Sequence, residues 1–234
     1  MLQTRKELIF VFLTGIFITS AIVAELISCK LVDTGWYPII AGIVPWPIVF
    51  LLTDVMNEFY GKKAVRRVSW ITCVMIAFCF LLVYVAVELP THANSFATDA
   101  EFSKLFGGSL WIMTGSIVAF VFSQMIDVWA FWFIRRLTGE KMIWLRSTGS
   151  TVFSQLVDSY TVLIIGFWIP GTFTFKEILV LGITGYSVKL VIAIGLTPFI
   201  YLVRYGVKRI LGNEQAEEMS RAAAEESLIT ETVK

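Results

Sequence analysis

The run Leu8-Ile9-Phe10-Val11-Phe12-Leu13-Thr14-Gly15-Ile16-Phe17-Ile18-Thr19-Ser20-Ala21-Ile22-Val23-Ala24-Glu25-Leu26-Ile27-Ser28-Cys29 decides the fold. About 20 predominantly apolar residues are what a helix needs to cross the hydrocarbon core of a bilayer. Arg5 and Lys6 precede the run, as basic residues precede a signal sequence. The run is too long for a signal h-region and no small-x-small cleavage pattern follows it, so it reads as a first membrane span.

Five further stretches qualify on the same ground: 36–56, 65–89, 110–134, 150–169 and 178–205. They are continuous and do not alternate with period two, which excludes the strands of a membrane barrel. Composition agrees, with 57% of residues hydrophobic and 16% charged, against about a quarter charged in a soluble domain. The expected architecture is an all-α membrane protein, a six-transmembrane-helix bundle. Residues 1–211 form the transmembrane domain and 212–234 a polar cytoplasmic tail, rich in Ala and Glu, suited to a solvated helix or disorder. Pro45 and Pro47 are expected to kink the second span by removing backbone donors.

The basic residues set the orientation. Arg5, Lys6, Lys62, Lys63, Arg66, Arg67, Arg135, Arg136, Lys141, Arg146, Arg204, Lys208 and Arg209 fall on one side. The other side has only Lys30, Lys104 and Lys176. Thirteen against three puts the N-terminus, the loops after spans two and four, and the C-terminus in the cytoplasm. The net charge of +1 hides this asymmetry and gives no reason to expect a nucleic-acid partner. The lipid bilayer is the expected environment, in the inner (cytoplasmic) membrane of a bacterium. The longest connection, 90–108, lies outside and has room for a short interfacial helix.

Cys29, Cys73 and Cys79 lie in or beside apolar runs, and the single histidine, His92, sits in a polar loop. No metal or other cofactor is expected from such spacing. An enzyme is not expected either. There is no His-based triad, GxxxxGK[ST] loop or HExxH. Asp127 and Asp158 also lack the Tyr-Asp and Gly-x-Gly-Asp contexts of intramembrane aspartyl proteases.

What marks function is the ionisable residues inside the spans. Glu25, Asp127, Asp158 and Lys189 lie within them, and Asp54 lies near the cytoplasmic end of the second. Each costs about 2.5–3.5 kcal/mol at the bilayer centre, so together they cost on the order of 10 kcal/mol, as much as the stability of a domain. One lysine cannot neutralise four carboxylates. Helical spacing sets Gln124 on one face with Asp127, Gln155 with Asp158, and Asn57 and Glu58 with Asp54. Three helices thus each offer a carboxylate beside an amide, with Lys189 as the cation. That chemistry suits a small polar solute with a planar donor–acceptor edge, and Trp46, Trp129, Trp132, Tyr160 and Tyr186 are available for stacking.

An internal echo joins two of these helices. Phe122-Ser123-Gln124-Met125-Ile126-Asp127 recurs as Phe153-Ser154-Gln155-Leu156-Val157-Asp158. The two spans run in opposite directions, so the echo points to an inverted pseudo-repeat.

Five blocks in order resemble one known family. They are Leu52-Thr53-Asp54-Val55-Met56-Asn57-Glu58-Phe59-Tyr60-Gly61 followed by Ala64-Val65-Arg66-Arg67; Gln124-Met125-Ile126-Asp127; Trp144-Leu145-Arg146-Ser147-Thr148-Gly149-Ser150-Thr151; Gln155-Leu156-Val157-Asp158; and Tyr186-Ser187-Val188-Lys189. They resemble the signature of the queuosine precursor transporters, also called the vitamin uptake transporter (VUT) family. The resemblance implies a six-helix inner-membrane importer of 7-deazaguanine precursors such as queuine, preQ0 or preQ1, working by alternating access. It implies that Asp54, Gln124, Asp127, Gln155, Asp158 and Lys189 bind the 7-deazapurine base. Glu25 departs from the family pattern, which more often has Asn there, and an extra carboxylate bears on substrate preference or proton coupling. The rival reading is a substrate-capture subunit of an energy-coupling-factor vitamin transporter, whose six-helix architecture is similar. A homodimer is left open, since Gly107 and Gly108 form no dimer motif.

Overall fold

Thr4 opens the first helix with a reciprocal cap: the Glu7 N–H donates to Thr4 Oγ1 at 3.3 Å, and the Thr4 N–H donates to Glu7 Oε2 at 3.3 Å. The computed structural model describes residues 4–33, 35, 38–138 and 143–232. Among them the chain is mostly helical: α1 (Arg5–Ile27), a short hairpin of β1 (Leu31–Asp33) and β2 (Pro38–Ile40), a 3₁₀ turn (Ala41–Ile43), α2 (Trp46–Glu88), α3 (Asp99–Thr138), α4 (Ile143–Leu163) running into a π-helical turn (Ile164–Trp168), α5 (Phe175–Leu211) and α6 (Asn213–Thr232).

Three helical stretches among the described residues are long and apolar enough to cross a membrane: Arg5–Ile27, Ala41–Glu88 and Asp99–Ser123; Val152–Trp168 is a shorter apolar helix. The second of these, 48 residues long, would extend about 70 Å if straight, twice a hydrocarbon core of about 30 Å. It is broken at Gly61, whose φ of 79° and ψ of 167° are not helical. Only glycine takes that conformation without a steric penalty. The break separates 46–60 from 62–88, close to the expected gap between the second and third spans.

Two expectations are corrected at the start of α2. Residues 38–40 are strand, paired antiparallel with β1 in the register Leu31↔Ile40, Val32↔Ile39 and Asp33↔Pro38, so the helix begins at Trp46 rather than at residue 36. The prolines do not kink it. The Pro45 carbonyl accepts the first helical N–H bonds, from Ile48 at 3.0 Å and Val49 at 3.3 Å, and Pro47 sits in the first turn, where its missing N–H has no intrahelical partner to lose. A third correction concerns 90–108. Thr98 and Glu101 form a second reciprocal cap (Thr98 N–H to Glu101 Oε2, 2.9 Å; Glu101 N–H to Thr98 Oγ1, 3.3 Å). It starts α3 at Asp99, so helix runs unbroken from there into the span and the loop is shorter than expected.

The chain divides into two units: 1–24, 42–75 and 189–234 in one, 25–41 and 76–188 in the other. The core of the first is built from Leu13, Phe17 and Ala21 of α1, Val49, Leu52, Val55, Met56, Phe59 and Val68 of α2, Val207 and Leu211 of α5, and Ala216 and Met219 of α6. The tail is therefore helical, and its apolar stripe is buried. Phe10 packs on Tyr60 with ring centroids 4.8 Å apart, and the Tyr60 hydroxyl donates to the Lys6 carbonyl at 2.9 Å. Lys208 Nζ meets Glu217 Oε1 at 3.3 Å.

The core of the second unit is Ile112, Leu163, Phe167, Ile178 and Leu181. Within it α3 and α4 run antiparallel in close contact. A Cβ on Gly115 would lie 3.2 Å from the Val162 carbonyl oxygen, and one on Gly166 would lie 3.4 Å from Ile112 Cα. Glycine at both positions lets the two backbones approach.

Candidate functional site

Glu25 lies in the last turn of α1, where the negative end of the helix dipole is unfavourable to a carboxylate. It is nonetheless 4% exposed. The Ser116 hydroxyl of α3 donates to its Oε2 at 2.7 Å. The same contact face continues outward: Ser109 Oγ donates to the Leu26 carbonyl at 2.8 Å, Cys29 Sγ donates to the same carbonyl at 3.4 Å, and Ser28 is buried. Hydroxyls from α3 thus satisfy the carbonyl and carboxyl groups that the end of α1 leaves exposed. Ser116 and Ser109 were not singled out from sequence; a serine repeating at seven-residue spacing on one face of an apolar helix was the signal for them.

On α4, Asp158 is half-buried and Gln155 exposed, with Ser154 and Ser159, both buried, on either side of Asp158 in the chain. The backbone of α3 places Gln124 and Asp127 within the helix that packs on α4. The side chains of Gln124 and Asp127, and of Lys189 on α5, lie outside the described residues. Asp54 and Asn57 are both exposed on α2, and Glu58 is half-buried. The expected set therefore falls into two groups. Glu25, Gln124, Asp127, Gln155 and Asp158 belong to the second unit, and Asp54, Asn57 and Lys189 to the first.

The aromatic residues divide by role. Tyr160 is a packing residue: its hydroxyl donates to the Leu179 carbonyl at 3.1 Å, and its ring lies directly over Gly182, where any Cβ would collide with it. Trp46 stacks on Phe50 at 5.7 Å, and Trp129 on Phe133 at 5.3 Å. Trp129 is 59% exposed, as suits a residue at a lipid or interfacial surface. Tyr186 is half-buried, and the Trp132 side chain lies outside the described residues.

Comparison with known proteins adds an independent line. A family model described as "Putative vitamin uptake transporter" matches residues 40–203. A protein of Bacillus subtilis (strain 168) called "Probable queuosine precursor transporter" is 28% identical over 198 residues, covering 84% of this chain and 83% of its own. The "Queuosine precursor transporter" of Escherichia coli (strain K12) is 31% identical over 169 residues, 71% of each chain. A Haemophilus influenzae relative, "Probable queuosine precursor transporter", is 25% identical over 167 residues, 71% of this chain and 66% of its own. No solved structure matches.

Proposed function

The chain belongs to the vitamin uptake transporter family, a transporter and not an enzyme, and from that membership we propose that it imports 7-deazaguanine precursors of queuosine across the bacterial inner membrane. The observation that carries this reading is the likeness, over 71% of both chains, to a relative that bears the name queuosine precursor transporter. In this reading the helices make six crossings with both termini in the cytoplasm, as the distribution of Lys and Arg requires.

A planar deazapurine carries N–H donors along one edge and a carbonyl beside them. Carboxylates accept from the former, and amide N–H groups donate to the latter. The second unit offers this combination in Asp158 with Gln155 and Asp127 with Gln124, and Glu25 adds a further carboxyl. Charge-assisted hydrogen bonds in a site closed to water favour a ligand that satisfies them and reject one that leaves them unpaired. Asp54, Asn57 and Lys189 are expected to depress uptake when substituted. Rocking of helices about the bound base supplies alternating access.

The test is uptake of labelled queuine, preQ0 and preQ1 by cells lacking their own importer and expressing this protein, with Asp158→Ala and Asp127→Ala alongside. Saturable uptake that both variants lose, while still inserting in the membrane, supports the reading. Normal uptake by both refutes the site. Uptake that appears only with a co-purifying ATPase module replaces the autonomous importer with a capture subunit, and a dimer on size-exclusion adds the homodimer.

A further inference from the structure

The echo between α3 and α4 relates residue i of one helix to residue i + 31 of the other: Ser123 to Ser154, Gln124 to Gln155, Asp127 to Asp158. The packing of the same two helices gives a second, independent relation. Gly115 lies against Val162, and Gly166 against Ile112, so contacting positions in this antiparallel pair sum to 277 or 278. A two-fold axis between antiparallel helices must satisfy both relations at once. They meet at residue 123 on α3 and residue 154 on α4, whose numbers differ by 31 and sum to 277. Both are serines and both are buried, 8% and 5% exposed. Ser154 also falls in the middle of the helical run 143–168. That meeting point falls inside the echoed segments, 122–127 and 153–158.

We infer that Ser123 and Ser154 mark a pseudo-two-fold axis, and that Asp127 and Asp158 are its mates: two equivalent half-sites that take the polar edge of the substrate in succession, one from each side of the membrane. Each aspartate lies four residues beyond its serine, in opposite directions, so the pair is about 12 Å apart along the helices at about 1.5 Å per residue. The basic residues Arg135 and Arg136 at the C-terminal end of α3 put Asp127 on the cytoplasmic side of the axis and Asp158 on the outer side. The same register sets Asp158 level with Ala119, which has no exposed surface. Each half-site repeats the Ser-Gln-x-x-Asp order, so the same donors on the base meet the same acceptors before and after the helices exchange openness. This step rests on the transporter reading above.

Two experiments decide it. In a protein whose three cysteines are replaced, Ser123→Cys with Ser154→Cys is expected to form a disulfide in the membrane, because an axis there sets the two positions face to face, within the Cα–Cα bonding range of about 4.4–6.8 Å. Ala119→Cys with Ser154→Cys, one turn out of register, is not. Cross-linking of the shifted pair alone overturns the axis. Oriented vesicles then separate the half-sites. Asp158→Asn is expected to weaken binding of labelled preQ1 offered only at the outer face, and Asp127→Asn binding offered only at the cytoplasmic face, whatever either does to net uptake. Each effect should be on the order of tenfold to a hundredfold in apparent Kd, with binding from the opposite face little changed. Both variants weakening binding from the same face alone overturns the mated half-sites. Absence of transport of all three precursors by the wild type would instead sink the proposed function, while the disulfide pair still decides the axis.

Discussion

Removing the Ser116 hydroxyl tests whether Glu25 is held as a carboxylate. In the native protein Ser116 Oγ donates to Glu25 Oε2 at 2.7 Å, and the acid is 4% exposed. A hydrogen bond to a charged group contributes about 1.5–3 kcal/mol, and one between neutral groups about 0.5–1.5 kcal/mol. Ser116→Ala should therefore destabilise by about 1.5–3 kcal/mol if the acid is ionised, since a buried charge is left with one donor fewer. In a Glu25→Gln background the same substitution should cost only about 0.5–1.5 kcal/mol. The double-mutant cycle then gives a coupling of about 1 kcal/mol, above the roughly 0.3–0.5 kcal/mol expected of independent sites. Reversible unfolding in mixed micelles, followed as the denaturing detergent fraction rises, measures all four variants. A neutral Ser116→Ala and a coupling indistinguishable from zero would refute the argument that α3 hydroxyls stabilise the carboxyl at the end of α1.

Gly182→Ala should destabilise by about 1–3 kcal/mol by driving the Tyr160 ring off its seat, and Tyr160→Ala should largely abolish that cost; thermal unfolding of the three variants checks it. Met219→Asp should free α6, because Met219 is 5% exposed in the core of the first unit, and limited proteolysis should then cut the tail. Glu217→Ala should not, since Glu217 is 63% exposed and such surface pairs are worth about 0–1 kcal/mol. Glu177 lies outside the spans, and its carboxyl is held below the usual range by hydrogen bonds from the Thr174 hydroxyl and backbone N–H. A depressed carboxylate stabilises above its unfolded-state value and loses that contribution as pH falls through the folded one. Acidification should therefore lower the protection factors of the amides in the first turn of α5, measured against the intrinsic exchange rate at each pH, and Glu177→Ala should remove that loss.

The apolar runs carried the helices, because a bilayer demands about 20 apolar residues per crossing and little else explains such runs. Their ends were harder to read, since hydropathy fades gradually where a cap acts at one residue. The caps were present as Thr4-Glu7, Thr98-Glu101 and Thr174-Glu177. Read as the Thr-x-x-Glu signature, they would have started α1, α3 and α5 where the structure does. The hairpin was lost for a different reason. Residues 38–44 are as apolar as a span, and only backbone pairing to Leu31, Val32 and Asp33 makes 38–40 strand, a partner that composition does not reveal. The buried stripe of α6 was masked likewise by its many glutamates, although Ala216, Met219 and Ala223 recur at helical spacing.

The acidic positions were legible because charge in an apolar run is costly; the hydroxyl that meets Glu25 was not, because a serine in such a run costs little and draws no notice. Serines recur close to these acids in the chain or across the helix contact. Glu25 has Ser116 within hydrogen-bond distance, Asp158 stands between buried Ser154 and Ser159 on its own helix, and Asp127 follows buried Ser123 at the spacing that separates Asp158 from Ser154. A lysine beside a carboxylate fixes the charge of both, and separating them strands a buried ion. A hydroxyl can donate to a carboxylate or accept from a carboxylic acid. A hydrogen bond of the kind that Ser116 gives Glu25 can therefore persist while the carboxyl changes its protonation or takes on the N–H edge of an incoming base. That is the property a transporter needs of a group that must bind a polar solute on one side of the membrane and release it on the other.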